Sequence, residues 1–233
     1  MSAPFAQPEL GSSLVTAAFS PPFVRRAAVA ALFVALCWAG AAEAQTAPQP
    51  DRTVDMARVL QPGPLPELSL GDPKGVPVVE YGSLTCSHCA TFALDVLPAF
   101  KKDYIDAGKA RFIFREFSRN PLDLAGFVLA RCVGDDKALA TIDLLFAEQD
   151  NWAFVNHPLD ALIVALRPTG MTHDKAMACL KDQAKADAMN KIVQTAIATV
   201  NVNGTPTFVI DGKVYDGELT LDNLKAILQP LVK

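Results

Sequence analysis

Cys86-Ser87-His88-Cys89 is the feature that most narrows what this chain can fold into. An apolar run (Val76, Val78, Val79, Tyr81) breaks at Gly82 and Ser83 just before it, and Ala90-Thr91-Phe92-Ala93-Leu94, which favours helix, follows it. The stretch reads as strand, loop, paired cysteines, helix. At a helix start the first backbone N–H groups have no partner inside the helix and the dipole end is positive, so an anion is stabilised there. The Cys86 thiol is therefore expected to be unusually acidic, and a thiolate is the nucleophile of thiol-disulfide exchange. Cys89, one turn further on, is placed to close a small disulfide ring with it.

Residues 1–44 read as a cleavable signal peptide. Arg25 and Arg26 precede an apolar run over residues 27–39, and Ala42-Glu43-Ala44 supplies the small residues accepted before a signal-peptidase cut. The apolar run is short of the roughly 20 residues that a membrane span needs, so cleavage after Ala44 is expected rather than a permanent anchor. Ala27 and Ala28 follow the paired arginines, which favours ordinary secretion over the twin-arginine route.

Removing that segment takes Cys37 with it and leaves Cys86, Cys89, Cys132 and Cys179. An even number of cysteines in an exported chain permits two disulfides. The remaining length is that of one ordinary domain with a core of its own. A net charge of −4 without any basic run makes nucleic acid and anionic membrane surfaces poor partners.

Residues 45–64, rich in Pro, Gln and Ala, read as a linker or N-terminal arm, with one short helical turn around residues 54–60. Residues 65–70 look like a short edge strand, and Gly71-Asp72-Pro73-Lys74-Gly75 is a turn into the central strand. The helix after the cysteines is expected to kink near Pro98. Residues 110–117 (ARFIFREF) alternate and are rich in aromatics, which marks a second inner strand, parallel to the first. Between residues 120 and 182, Pro121, Asp135-Asp136, Pro158 and Thr172 each mark the opening of a short helix. A longer helix over residues 183–200 returns to the sheet. Cys132 and Cys179 fall in this helical stretch, either as two small buried hydrophobes or as a structural disulfide; the second is favoured. The chain closes with an apolar run over residues 207–210, an Asp211-Gly212 turn, a second short run and an amphipathic helix over residues 219–232. Read in isolation, Pro206 is a trans loop proline.

These elements together resemble the DsbA-like family of the thioredoxin superfamily: Cys-x-x-Cys at a helix start after a central strand, a helical insertion, then Gly204-Thr205-Pro206 before a hairpin and a terminal helix. The resemblance covers residues 65–233. It implies an α/β, thioredoxin-like fold, a central mixed sheet flanked by helices with an inserted helical subdomain at about residues 119–182. Proteins of this family exchange disulfides with client proteins in the periplasm. By resemblance, Cys86 is the exposed attacking cysteine and Cys89 its buried partner. His88 stands where the family's Cys-Pro-His-Cys has its histidine and is expected to stabilise the Cys86 thiolate, although Ser87 replaces the proline. Pro206 matches the family's cis-proline, beside which a client peptide pairs by strand addition. Thr205 stands before it where many oxidases carry valine, and threonine there is common in isomerases. Glu80, six residues before Cys86, matches a buried acid that relays protons to Cys89, with Arg111 and Arg115 as candidate charge partners.

The resulting expectation is a periplasmic thiol-disulfide oxidoreductase, most simply a dithiol oxidase, with isomerase or reductase as the alternative. Its partners would be reduced exported proteins and a membrane redox protein that reoxidises it; a monomer is favoured. No organic cofactor or metal is expected: His88 and Cys89 are adjacent, an awkward geometry for one tetrahedral zinc site. A periplasmic holdase is the alternative of a different class. His157 and His173 read as surface or capping residues.

Overall fold

The computed structural model describes residues 46–232, and the expected signal peptide lies outside them. In chain order the elements are β1 (Arg52–Thr53), α1 (Met56–Val59), β2 (Leu68–Leu70), β3 (Val76–Gly82), α2 (Ser87–Thr91), α3 (Leu97–Phe100) and β4 (Ala110–Glu116). The helical insertion follows as α4 (Pro121–Val133), α5 (Ala138–Ala147), α6 (Gln149–Trp152), α7 (Pro158–Ala165) and α8 (His173–Cys179). Then come α9 (Gln183–Val200), β5 (Thr207–Ile210), β6 (Lys213–Asp216) and α10 (Leu221–Leu228).

The six strands form one mixed sheet in the order β1-β6-β5-β3-β4-β2. β3 and β4 run parallel, as the strand-helix-strand spacing implies, and every other pair is antiparallel. β3 is paired on both edges and carries buried side chains on both faces, which is why it reads as an unbroken apolar run. Asp211 and Gly212 both have positive φ, the conformation a two-residue hairpin turn between β5 and β6 requires.

Register divides the core in two. Val78, Phe112, Phe114, Phe208 and Ile210 face the paired-cysteine helix and the helical insertion, while Val79, Tyr81, Ile113, Val209 and Val214 face the opposite side with α9 residues Ala196 and Val200. Trp152 is wholly buried in the insertion, its indole N–H donating to Leu145 O at 2.8 Å. A buried ion pair ties the insertion to the sheet: Arg131 of α4 donates to Glu116 of β4 at 2.6 Å and to Pro66 O at 2.9 Å.

Within the expected N-terminal arm, residues 46–64 pair with the sheet and pack on it. Arg52 lies opposite Val214 in β6, its guanidinium donates to Val200 O at 2.9 Å and pairs with Asp216, and Val59 is buried against α9. The arm thus covers the edge that β6 would otherwise expose. At Pro98 the expected irregularity appears as two π-helical segments, Phe92–Val96 and Lys101–Ile105, on either side of α3, so the helical run continues from residue 87 to 105. The four expected insertion helices are present. Two short pieces, α6 and the 3-10 turn Arg167–Thr169, join them.

Cys132 of α4 and Cys179 of α8 are bonded, with their Cα atoms 6.3 Å apart and a sequence separation of 47. Closing a loop of that length restricts the unfolded chain. The double substitution Cys132→Ser/Cys179→Ser is expected to lower unfolding free energy by about 2–4 kcal/mol. Denaturant titration of both forms under non-reducing conditions would check this.

Candidate active site

β3 ends at Gly82, and Ser83-Leu84-Thr85 carries the chain over to Cys86, the N-cap of α2 with extended backbone (φ −97°, ψ 116°). The Cys86 carbonyl accepts the first helical bond from Ala90 N–H at 3.1 Å. Gln149 of α6 donates from the same side-chain nitrogen to Leu84 O at 2.6 Å and Cys86 O at 3.1 Å. From the other side the loop before β5 closes over the sulfur. The Thr205-Pro206 peptide is cis, and Cys86 Sγ lies 3.2 Å from Thr205 O. Cys86 is thereby left only 5% exposed, less open than the family resemblance implies, because Thr205 covers its sulfur; Cys89 is fully buried.

The two thiols are driven apart. The Cys89 thiol donates a hydrogen bond that brings Cys86 down to about 5 against the opposing effect of burial, assisted by the Thr205 side chain, the Cys89 N–H and the Arg119 charge. The Thr205 hydroxyl is buried without a partner within the protein's own hydrogen bonds, so it is available to the thiolate. Burial pushes the Cys89 thiol up, and the bond to Cys86 and the charge of Glu80 push in the same direction. Cys86 is thus an anion at neutral pH and Cys89 a proton carrier.

Glu80 sits beneath the pair, 1% exposed, on the β3 face shared with Phe114 and Phe208, and its Oε1 has no hydrogen-bond partner. Burial raises its carboxyl well above the usual range, with Cys86 and Asp143 adding to the effect. Arg111 and Arg115 do not reach it: in the β3–β4 register Glu80 lies opposite Phe114, so both arginines belong to the other face, where they pair with Glu67. His88 is exposed, and its Nδ1 meets the Glu218 carboxylate after β6. His157 and His173 are exposed in the insertion.

Sequence reasoning missed the polar residues that hold the loop, Ser83, Arg119, Asp123 and Gln149. The signal for one of them was present, since Asn120 before Pro121 is an N-cap pattern and Asp123 lies in the first turn it caps. The others come from distant segments and meet the loop only in the fold. Asp143 on the exposed side of α5 was also missed; partial desolvation raises its carboxyl.

The fold and this loop define a thioredoxin-type protein with an inserted helical subdomain. A family model described as thioredoxin matches residues 65–230. A candidate protein-disulfide oxidoreductase of Rickettsia typhi is 34% identical over 167 residues, spanning 68% of this chain and 59% of its own. The chain therefore covers well under two thirds of that relative's length. The crystal structure of Wolbachia pipientis alpha-DsbA1 is 28% identical, covers 75% of this chain and 94% of its own, and superposes with a TM-score of 0.67. BdbD from Bacillus subtilis, at 20% identity and a TM-score of 0.58, shares the fold. The chain belongs to the thioredoxin superfamily as a DsbA-like member.

Titrating the reduced protein by thiolate absorbance near 240 nm is expected to give a midpoint near 5 that Cys86→Ser abolishes. Because the folded value lies below the ordinary 9.0, the thiolate stabilises the reduced fold fully above about pH 9, and this stabilisation is lost as pH falls towards 5. Unfolding titrations of the reduced protein between those values check the sign; stability that rises on acidification would contradict it.

Proposed function

We propose that this chain is a thiol-disulfide oxidoreductase that acts on exported proteins in the periplasm and works as a dithiol oxidase. The observation that carries the reading is the separation of the two thiols, Cys86 brought down to about 5 while Cys89 is pushed far up. A Cys86 thiolate stabilises the dithiol over the disulfide, which makes the Cys86-Cys89 disulfide readily reduced and therefore oxidising towards clients. The curated relatives' names and the alpha-DsbA1 likeness support the same class of chemistry.

A client thiolate attacks Cys86 Sγ of the disulfide. The new bond joins client and Cys86, and Cys89 departs as a thiolate that takes up a proton, as its raised affinity for one requires. A second client thiolate then attacks the client sulfur of that mixed disulfide. The client disulfide forms, Cys86 leaves as a stabilised thiolate, and two electrons have passed from client to enzyme. Glu80, held towards its neutral acid by burial directly beneath the pair, supplies the proton that Cys89 takes up. The client strand lies along the Thr205-Pro206 loop, so that main-chain pairing gives broad rather than sequence-specific recognition. Reoxidation falls to a membrane redox partner. The protein is proposed to need no organic cofactor or metal.

The reduction potential of the pair, measured by equilibration with glutathione buffers and thiol trapping, tests the direction. A value near that of DsbA, about −120 mV, is expected; one near that of thioredoxin, about −270 mV, would replace the oxidase with a reductase or isomerase. Cys86→Ser is expected to abolish exchange, whereas a holdase would keep its anti-aggregation activity in that variant. Glu80→Gln is expected to slow exchange with a dithiol peptide by about a hundredfold while the Cys86 midpoint stays low. Stopped-flow rates alongside the 240 nm titration separate the two effects.

A further inference from the structure

Asp123, in the first turn of α4, is completely buried, and its carboxylate gathers three donors: the Ser83 hydroxyl at 2.8 Å, the Thr85 N–H at 2.8 Å and the Arg119 N–H at 2.9 Å. The Arg119 side chain turns back to the same serine, its Nε donating to Ser83 Oγ at 3.0 Å. Ser83 in turn meets both cysteines. Its carbonyl accepts from Cys86 N–H at 3.2 Å, and its own N–H is directed at the Cys89 sulfur. A guanidinium from the segment that opens the helical insertion is therefore fixed to the loop that carries the nucleophile. The imidazole inside the motif, by contrast, is engaged by Glu218.

We propose that Arg119 is the positioning cation of this active site: bonded to Ser83, with Asp123 holding both, it delivers from the helical insertion a counter-charge that adds to the Cys89 hydrogen bond in holding the Cys86 thiolate. The proposal rests on the thiol-exchange reading above. The other charged or titratable groups facing Cys86 do not fill this role. Cys89 and Glu80 carry protons, and Asp123 is an acid whose carboxyl is turned to the Ser83, Thr85 and Arg119 donors. The sign follows directly. A cation near the sulfur favours the thiolate, hence the dithiol, hence a more oxidising disulfide; its removal raises the thiol midpoint and makes the disulfide harder to reduce. Arg119 is exposed, so water and salt screen its charge and the effect is moderate.

The experiment compares the full protein with Arg119→Gln and Arg119→Lys, reading the 240 nm thiolate midpoint and the glutathione equilibrium at low salt and at about 1 M salt, where the Debye length is about 3 Å. Arg119→Gln is expected to raise the midpoint by about half a unit to one unit and to move the equilibrium about three- to tenfold towards the disulfide. Arg119→Lys, which keeps the charge, is expected to restore most of both. High salt should raise the wild-type midpoint towards that of Arg119→Gln and leave the variant nearly unmoved. The wild-type salt titration needs no variant to fold. An Arg119→Gln midpoint equal to wild type overturns the proposal and leaves the exchange reading intact. So does a rise that lysine fails to reverse and salt fails to mimic, which would mark a structural role. A wild type with neither a low midpoint nor glutathione exchange overturns both.

Discussion

Pairing on both edges of β3 is the constraint on which the rest of the molecule depends. β4 holds one edge and β5 the other, so the end of β3 is fixed relative to the start of β5. Cys86 emerges from the first and Thr205-Pro206 leads into the second. The 3.2 Å approach of the Cys86 sulfur to the Thr205 carbonyl follows from this pairing between residues 119 apart in sequence. The same register puts Glu80 opposite Phe114 and Phe208, under the cysteines and away from water. A shift of one residue would turn Glu80 to the other face and remove it from the site.

Around that frame the helical insertion does two things. Its apolar side completes the core over Phe112, Phe114 and Phe208, with Trp152 and Phe127 fully buried. Its polar residues reach the active loop: Asp123 and Arg119 hold Ser83, Asn120 donates to the Thr85 hydroxyl at 2.8 Å, and Gln149 holds the carbonyls of Leu84 and Cys86. A buried loop must have its backbone groups satisfied from somewhere, and here the insertion supplies the partners. The Glu116–Arg131 pair, both side chains 2% exposed, and the Cys132–Cys179 bond fix the insertion to the sheet and to itself. Cys86 is thereby coupled to a subdomain that contributes neither Cys86 nor Cys89.

The chemistry depends on unequal environments for two identical side chains. Cys86 lies at a helix start with donors around it, and Cys89 lies one turn deeper among apolar groups with a carboxyl below. The first environment favours the anion and the second the proton.

Much of this was legible in the chain itself because it is encoded locally. The apolar run, the break at Gly82, the cysteine spacing, the Asp211-Gly212 turn and the caps of the insertion helices are short-range patterns, and they determined the order of elements and the place of the two cysteines at a helix start. The family resemblance extended this to Pro206 and Glu80. What only the tertiary structure decided concerns residues brought together from far apart. The pairing of the N-terminal arm with β6 rests on an edge that exists only once the sheet is built. The partners of Arg111, Arg115 and His88 depend on strand register and on the path of the chain after β6, and parity along one strand cannot give the register between two. The clamp of Ser83, Arg119, Asp123 and Gln149 combines side chains up to 66 residues apart, each ordinary in its own local sequence. Their role arises from the requirement that a buried loop and its anion find donors and acceptors in whatever the fold packs against them.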